Sequence, residues 1–207
     1  MFLKVKSVSL TKYVFNFSMW PIKRYIYFYC MNFTDKWTFW LVILDFDSGT
    51  AKYTIEEIGK VNTIKNLYQY YHRLPQISEI KRNTGKYASI GFFKGAIKPA
   101  WEDSANKNGA SHQFRVKEDI VNGVWRNLLL SASSNELNSK LQPQQNNKIC
   151  GLMVSPKKER GEYAIEIWVS SDEPPNPSFA EYICELVNSA DGQLKPTDVR
   201  FQPHKNH

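Results

Sequence analysis

Residues 97–109 of the 207-residue chain read IKPAWEDSANKNG. Trp101 places a flat aromatic face immediately beside the carboxylate of Glu102, after the stiffening Pro99 and before a polar turn at residues 106–109. This pair suits a planar, electron-poor ligand with adjacent N–H donors, because the ring can lie on the indole while its edge donates to the acid. The stretch therefore predicts a stacking site, and a methylated, positively charged guanine fits it.

Six motifs surround this stretch in a fixed order along the chain. They are WTFW at 37–40, VNTI with LYQYY at 61–64 and 67–71, FFKGAI at 92–97, WRNLL at 125–129, ICG at 149–151 and IEIW at 165–168. In order and rough spacing they resemble the cap-binding family of translation initiation factor 4E, most closely its 4E-homologous branch. The resemblance covers about two-thirds of the chain.

The hydrophobic patterns predict a largely antiparallel sheet with helices on one face, an α/β fold of the α+β type. Strands are predicted at residues 37–46, 52–58, 87–93, 112–117, 149–154, 163–169 and 196–202, and helices at 63–73, 120–130 and 179–187. The resemblance implies the same arrangement, a curved sheet with three helices on the convex face and the cap site on the concave face.

Length and composition indicate one domain, which we place at residues 31–207. Residues 1–30 combine an aromatic run at 25–29 with short apolar stretches broken by Pro21, a pattern unlike a signal peptide. We expect these residues to be an N-terminal extension that is either not native or disordered, with the natural start at Met19 or Met31.

Charge and cysteine usage limit the partners and the compartment. The net charge of +7 and the pI near 9.2 favour an anionic partner, although a merely basic soluble protein has the same composition. Cys30, Cys150 and Cys184 show no disulfide framework or zinc spacing, which favours a reducing compartment. The sequence predicts no metal site, no cofactor, no paired acid and base for catalysis, and no apolar run of the ~20 residues needed to span a membrane.

The resemblance implies a specific base-binding set. In the family the base stacks on the residue matching Trp101, and its ring N–H and exocyclic amine donate to the residue matching Glu102. A second aromatic residue closes the sandwich, and Tyr53 is the candidate, with Thr50 or Ala51 as alternative positions. Tyrosine is a weaker cation–π partner than tryptophan, so a reduced cap affinity is expected.

The resemblance also assigns the cap phosphates to the hairpin at residues 155–161, which reads SPKKERG. Lys157, Lys158 and Arg160 are the candidate phosphate-binding residues there, although a charged hairpin tip would have the same sequence. The family carries a further basic residue after the Trp-Glu-Asp loop, where this chain has Ser111 and His112. One basic contact to the cap is therefore predicted to be missing.

A dorsal surface on the helices is implied as the docking site of a scaffold initiation factor or a repressor protein. The matching residues are Ile64, Tyr68 and Leu130, and Tyr68 stands where the family has a tryptophan. Arg126 and Asn127 replace a Leu-Glu pair that would face a basic partner motif. These departures predict a weakened dorsal site and favour a repressor.

The leading interpretation is a non-enzymatic protein that binds the 7-methylguanosine 5′ cap of mRNA (7-methyl-GTP) and acts in translation initiation or its repression. We expect it in the cytoplasm, with the nucleus as a second location. A diverged paralogue that has lost cap binding and serves as a protein-interaction module is the alternative. A general single-strand RNA binder that uses basic charge and aromatic faces is a third interpretation.

Overall fold

The computed structural model describes residues 32–45, 52–81, 86–141, 147–157, 161–174 and 176–204, except for the side chain of Lys86. Within these residues seven strands form one curved antiparallel sheet, and the helices pack on one of its faces. The predicted fold class is confirmed. The expected N-terminal extension and Met31 lie outside the described residues, as do Thr50, Ala51, Lys158 and Arg160.

The elements follow the predicted order with modest changes in their bounds. In chain order they are β1 (Asn32–Asp45), β2 (Lys52–Thr63), α1 (Ile64–Arg73), β3 (Lys86–Lys94), β4 (Ala110–Lys117), α2 (Glu118–Ser133), α3 (Glu136–Lys140), β5 (Ile149–Pro156), β6 (Glu162–Val169), α4 (Pro177–Asn188) and β7 (Arg200–Pro203). The strand order across the sheet is β2-β1-β3-β5-β6-β4-β7. The three long helices are the predicted ones, and α3 adds a short helix of five residues.

Local sequence explains where the helices begin. The hydroxyl of Thr63 accepts a hydrogen bond from the Asn66 N–H at 3.1 Å and caps α1. Asn176 caps α4 through its side chain, with Pro177 at the first helical position. The strand predicted at residues 196–202 is shorter in the structure, because residues 196–198 form a 3-10 turn that begins with a proline.

The two faces of the sheet carry different side chains. In β6, Ile165 and Ile167 are fully buried in the core shared with the helices. Glu166 and Trp168 alternate with them and point to the opposite side, which we call the helix-free face. A second apolar cluster on that face contains no helical residue and is formed by Trp40, Phe93, Cys150 and Trp168.

A glycine in β5 makes room for this second cluster. A Cβ atom added to Gly151 would lie 2.2 Å from the ring of Phe93, closer than any real carbon contact. Gly151 is paired with Phe93 on one side and with Trp168 on the other. The absence of a side chain at this position therefore lets the two aromatic rings meet edge to face, with centroids 5.5 Å apart.

Among the described residues no helix is long and apolar enough to cross a membrane. The described residues also contain no group of three or more His, Cys, Asp or Glu side chains that could hold a metal ion.

Candidate binding site

The candidate site centres on a tight turn in the loop between β3 and β4. The Asp103 N–H donates to the Ala100 carbonyl at 3.2 Å, which closes a four-residue turn with Trp101 and Glu102 at its two central positions. The central residues of such a turn project away from the rest of the protein. Both side chains are exposed, and Trp101 has 40% of its surface accessible. The turn therefore presents an aromatic face and a carboxylate side by side.

The turn is clamped by the residue that follows Glu102. The two carboxylate oxygens of Asp103 accept backbone N–H groups from Lys98 at 3.1 Å and from Ala105 at 3.0 Å. Its carbonyl accepts two more, from Asn106 and Lys107, both at 2.9 Å. The acid of the Trp-Glu-Asp motif thus serves as a structural brace, because it binds the loop on both sides of the turn.

A buried asparagine holds the same turn from beneath. Asn106 is fully buried, and its amide nitrogen donates to the carbonyls of Lys98 at 2.9 Å and Ala100 at 2.8 Å. The main-chain carbonyl of Asn106 in turn accepts a hydrogen bond from the ring Nδ1 of His204, at 2.8 Å. Since a carbonyl can only accept, the proton of this bond lies on Nδ1.

The loop rests on the second cluster. His204 packs on the Trp168 indole with ring centroids 4.6 Å apart, and Ile97 packs partly buried against the cluster. The Cys150 thiol donates to the Ala105 carbonyl at 3.5 Å. Burial raises the pKa of this thiol to about 11, so it stays protonated and serves as a weak donor. These contacts fix the loop to the sheet before any ligand arrives.

Tyr53, the predicted second stacking residue, lies on β2 with 61% of its surface exposed. Tyr53 and Trp101 are the two large hydrophobic side chains that stand exposed in the described part of the chain. Tyr53 pairs with Leu44, whereas the loop that carries Trp101 leaves the sheet after Lys94, which pairs with Trp37. At 3.3 Å per residue these two points are about 23 Å apart along β1. Trp101 stands seven residues beyond Lys94, and its loop returns over the sheet, where Ile97 packs against the second cluster as Ile55 of β2 does.

Lys157, the one predicted phosphate-binding residue that is described, follows β5 at the start of the β5–β6 hairpin. Its N–H donates to the Glu162 carbonyl at 2.9 Å, and its side chain is partly exposed. Ser111, in the position where the family has a basic residue, is buried. The described part of the hairpin thus supplies one cation to the helix-free face.

The predicted dorsal residues are mostly covered in this chain. Ile64 on α1 is 3% exposed and Leu130 on α2 is 8% exposed. Tyr68 is half-buried, and its ring stacks on His72 at a centroid distance of 5.9 Å. Of the three residues, only Tyr68 offers substantial accessible surface to a partner.

Sequence reasoning missed three residues that build the site. Asn106 and His204 are joined in the fold but separated by 98 positions in the chain, so no local pattern links them. Glu166 reads as an ordinary strand residue inside the motif IEIW, yet it lies on the helix-free face beside Trp168. The one available signal is that Glu166 and Trp168 are two positions apart, which places their side chains on the same face of a strand.

Comparison with known proteins identifies related chains. A family model described as eukaryotic initiation factor 4E matches residues 32–207. The translation initiation factor NCBP of Arabidopsis thaliana is 27% identical over 153 residues, which cover 74% of this chain and 62% of that protein. The wheat (Triticum aestivum) factor of the same name is 24% identical, with 74% and 59% covered. This chain spans about three-fifths of the length of these relatives.

Solved structures share the fold. A schistosome initiation factor 4E, described as a complex with m7GpppA and 4E-BP, aligns with a TM-score of 0.62 at 22% identity over 83% of this chain and 87% of that one. C. elegans initiation factor 4E-3, described as a complex with the 4E-binding protein Mextli and a cap analogue, aligns with a TM-score of 0.67 at 16% identity over 84% and 93%. At these identities the likeness establishes the architecture alone.

Proposed function

Because this chain belongs to the eukaryotic initiation factor 4E family, we propose that it binds the 7-methylguanosine 5′ cap of mRNA, without catalysis, in translation initiation or its repression. The observation that carries the proposal is the braced turn with Trp101 and Glu102 at its centre. Two solved structures of the same fold are described as complexes with m7GpppA or a cap analogue, which supports the choice of ligand.

The chemistry of the two side chains accounts for selectivity toward a methylated base. Methylation at N7 gives guanine a positive charge, and a cation over an indole gains cation–π attraction that neutral guanine lacks. The ring N–H and the exocyclic amine of guanine are adjacent donors that one carboxylate can accept together. Stacking at ~1–3 kcal/mol per ring and a bidentate contact at ~1–3 kcal/mol would support roughly micromolar binding.

Tyr53 enters the proposal as the second ring of a base sandwich. Its exposure and its place on the helix-free face support this role. The Trp101 loop leaves the sheet about 23 Å along β1 from Tyr53, so this role requires the loop to return over the helix-free face, as the packing of Ile97 on the second cluster indicates. Replacement of Tyr53 by alanine tests this role. Cap affinity should fall if the ring stacks on the base, and it should not change if Tyr53 is only a surface residue.

The cap phosphates are assigned to the β5–β6 hairpin, with Lys157, Lys158 and Arg160 as the proposed cations. Lys157 is positioned at the helix-free face, and the other two lie outside the described residues. The partly exposed Lys157 would make a charge-assisted but flexible contact, which tolerates shifts in register better than base readout does.

The dorsal helices are proposed to receive a scaffold initiation factor or a repressor protein. The support is family membership, together with solved relatives described as complexes with 4E-BP or Mextli. Because Ile64 and Leu130 are already buried, Tyr68 would carry most of the contact, and weak binding is expected. A cytoplasmic location, with the nucleus as a second one, belongs to the same proposal.

Retention on a 7-methyl-GTP resin tests the proposed function. The protein should be held and then released by 7-methyl-GTP but not by GTP. Trp101→Ala and Glu102→Ala should each abolish retention, whereas the matched control Glu56→Ala, at an exposed acid on β2, should not. Equal release by GTP and 7-methyl-GTP would defeat the proposal.

A diverged paralogue without cap binding is the second candidate. The observations that favour it are the tyrosine at the predicted second stacking position and the neutral, buried Ser111 where the family has a basic residue. This candidate predicts that 7-methyl-GTP leaves tryptophan fluorescence unchanged, whereas stacking on Trp101 should quench it.

A further inference from the structure

Glu166 is an acid in the middle of the face on which the proposed ligand would lie. The loop with Trp101 joins the sheet at Ala110, whose partner on β6 is Val169, one residue beyond Trp168. The hairpin with Lys157 lies at the other end of β6, before Glu162. Glu166 therefore stands between the end of β6 next to the base-binding loop and the end next to the basic hairpin.

The hydrogen-bond donor and the cross-strand partners of Glu166 carry no charge. The Trp168 Nε1–H donates to its carboxylate at 3.0 Å, and its cross-strand partners Met153 and Gln113 are uncharged. Within the described part of the chain it takes part in no salt bridge.

Three cationic or titratable groups lie around this carboxylate. Burial raises the pKa of Glu166, while the Trp168 hydrogen bond, Lys157 from the hairpin and His204 from the end of β7 act in the opposite direction. Arg115, on the same face of β4, is bound to Glu162 at 3.2 Å and is thereby drawn toward a different acid. The positive charge of Lys157 thus interacts with the Glu166 carboxylate, and a phosphate bound at the hairpin would compete for the same charge.

We propose that Glu166 sets the phosphate dependence of this site, favouring the cationic methylated base and opposing the polyphosphate tail that must pass over it. The inference rests on the proposed cap-binding function. The carboxylate attracts the charge on the base and repels each phosphate, so affinity rises less with phosphate number than the lysine alone would allow. Buried Ser111 adds no cation that would offset this repulsion.

The substitution Glu166→Gln isolates the charge. Glutamine has nearly the same shape and can still accept the Trp168 Nε1–H, so the indole keeps its partner. Glu185→Gln is the matched control, because it removes the same charge at an exposed position on α4, on the helix side of the sheet. Thermal unfolding of each variant verifies that the fold is retained.

The experiment measures the dissociation constants of 7-methylguanosine and m7GpppG by tryptophan fluorescence for the three proteins. Glu166→Gln should bind m7GpppG roughly tenfold more tightly than the unmodified protein does. It should bind the nucleoside equally well or a few-fold more weakly, and Glu185→Gln should match the unmodified protein for both ligands.

The outcomes separate the inference from the function. Unchanged affinities in Glu166→Gln, or equal changes for both ligands, would overturn the role of Glu166 while cap binding stood. An unmodified protein that binds neither ligand would overturn both.

Discussion

Asn106→Ala is the sharpest test of the idea that the Trp101–Glu102 turn is built before the ligand binds. The wild-type side chain is fully buried and donates at 2.9 and 2.8 Å to the carbonyls of Lys98 and Ala100, which precede Trp101 in the loop. Alanine removes both donors, while each carbonyl keeps a backbone hydrogen bond, from the Ala100 N–H and the Asp103 N–H respectively, so each lost bond costs about 0.5–1.5 kcal/mol. We expect a loss of about 1–3 kcal/mol, shared between global stability and the order of the loop.

The assay combines thermal unfolding with a fluorescence titration by 7-methyl-GTP. If the loop loosens locally, affinity should fall about tenfold or more while the protein stays folded, because binding must then order the turn. Asn108→Ala is the matched control, since Asn108 is exposed in the same loop and should change neither quantity. Full affinity and full stability in Asn106→Ala would refute the argument.

Four further predictions follow from single contacts. Burial lowers the pKa of His112 to about 4, so between pH ~6.5 and ~4 the unfolded chain binds a proton at this residue and the folded chain does not. The free energy of unfolding should therefore fall by about 3 kcal/mol over this pH range. His112→Phe should remove this loss when thermal unfolding is measured as a function of pH. Because burial raises the pKa of Glu166, affinity for m7GpppG should rise as the pH is lowered toward that pKa, and a Glu166→Gln variant that keeps the rise would exclude this acid as its source. Gly151→Ala places a carbon 2.2 Å from the Phe93 ring and should destabilise the protein by ~1–3 kcal/mol or more in denaturant unfolding; an unchanged midpoint would show that the ring can move. Tyr53→Ala should weaken 7-methyl-GTP binding by ~1–3 kcal/mol if the ring stacks on the base, and unchanged binding would remove Tyr53 from the site.

Local signals predicted the architecture well. The helical spacing of apolar residues predicts a helix at residues 63–73, and in the structure α1 follows directly after the Thr63 cap. The pair Trp101–Glu102 was singled out by its chemistry alone, and the structure exposes both side chains on one turn. The last strand is shorter than the predicted residues 196–202, because residues 196–198 form a 3-10 turn that β-propensity alone does not reveal.

The support of the site depends on strand pairing, which a single sequence does not show. His204 and Asn106 meet only because β7 pairs with the start of β4. Glu166 lies between the loop and the hairpin only because β6 runs between β5 and β4. The point at which the Trp101 loop leaves the sheet is likewise a consequence of register, since local motifs carry no information about which ends of two strands coincide.

Fluorescence titration of the unmodified protein with m7GpppG and with unmethylated GpppG tests the central claim most directly. Stacking on Trp101 and acceptance of two donors by Glu102 predict saturable quenching by the methylated ligand at roughly micromolar concentration and far weaker quenching by the other. The quenching should disappear in Trp101→Ala. Equal responses to the two ligands, or a response that persists without Trp101, would contradict the assignment of this turn as the reader of a methylated base.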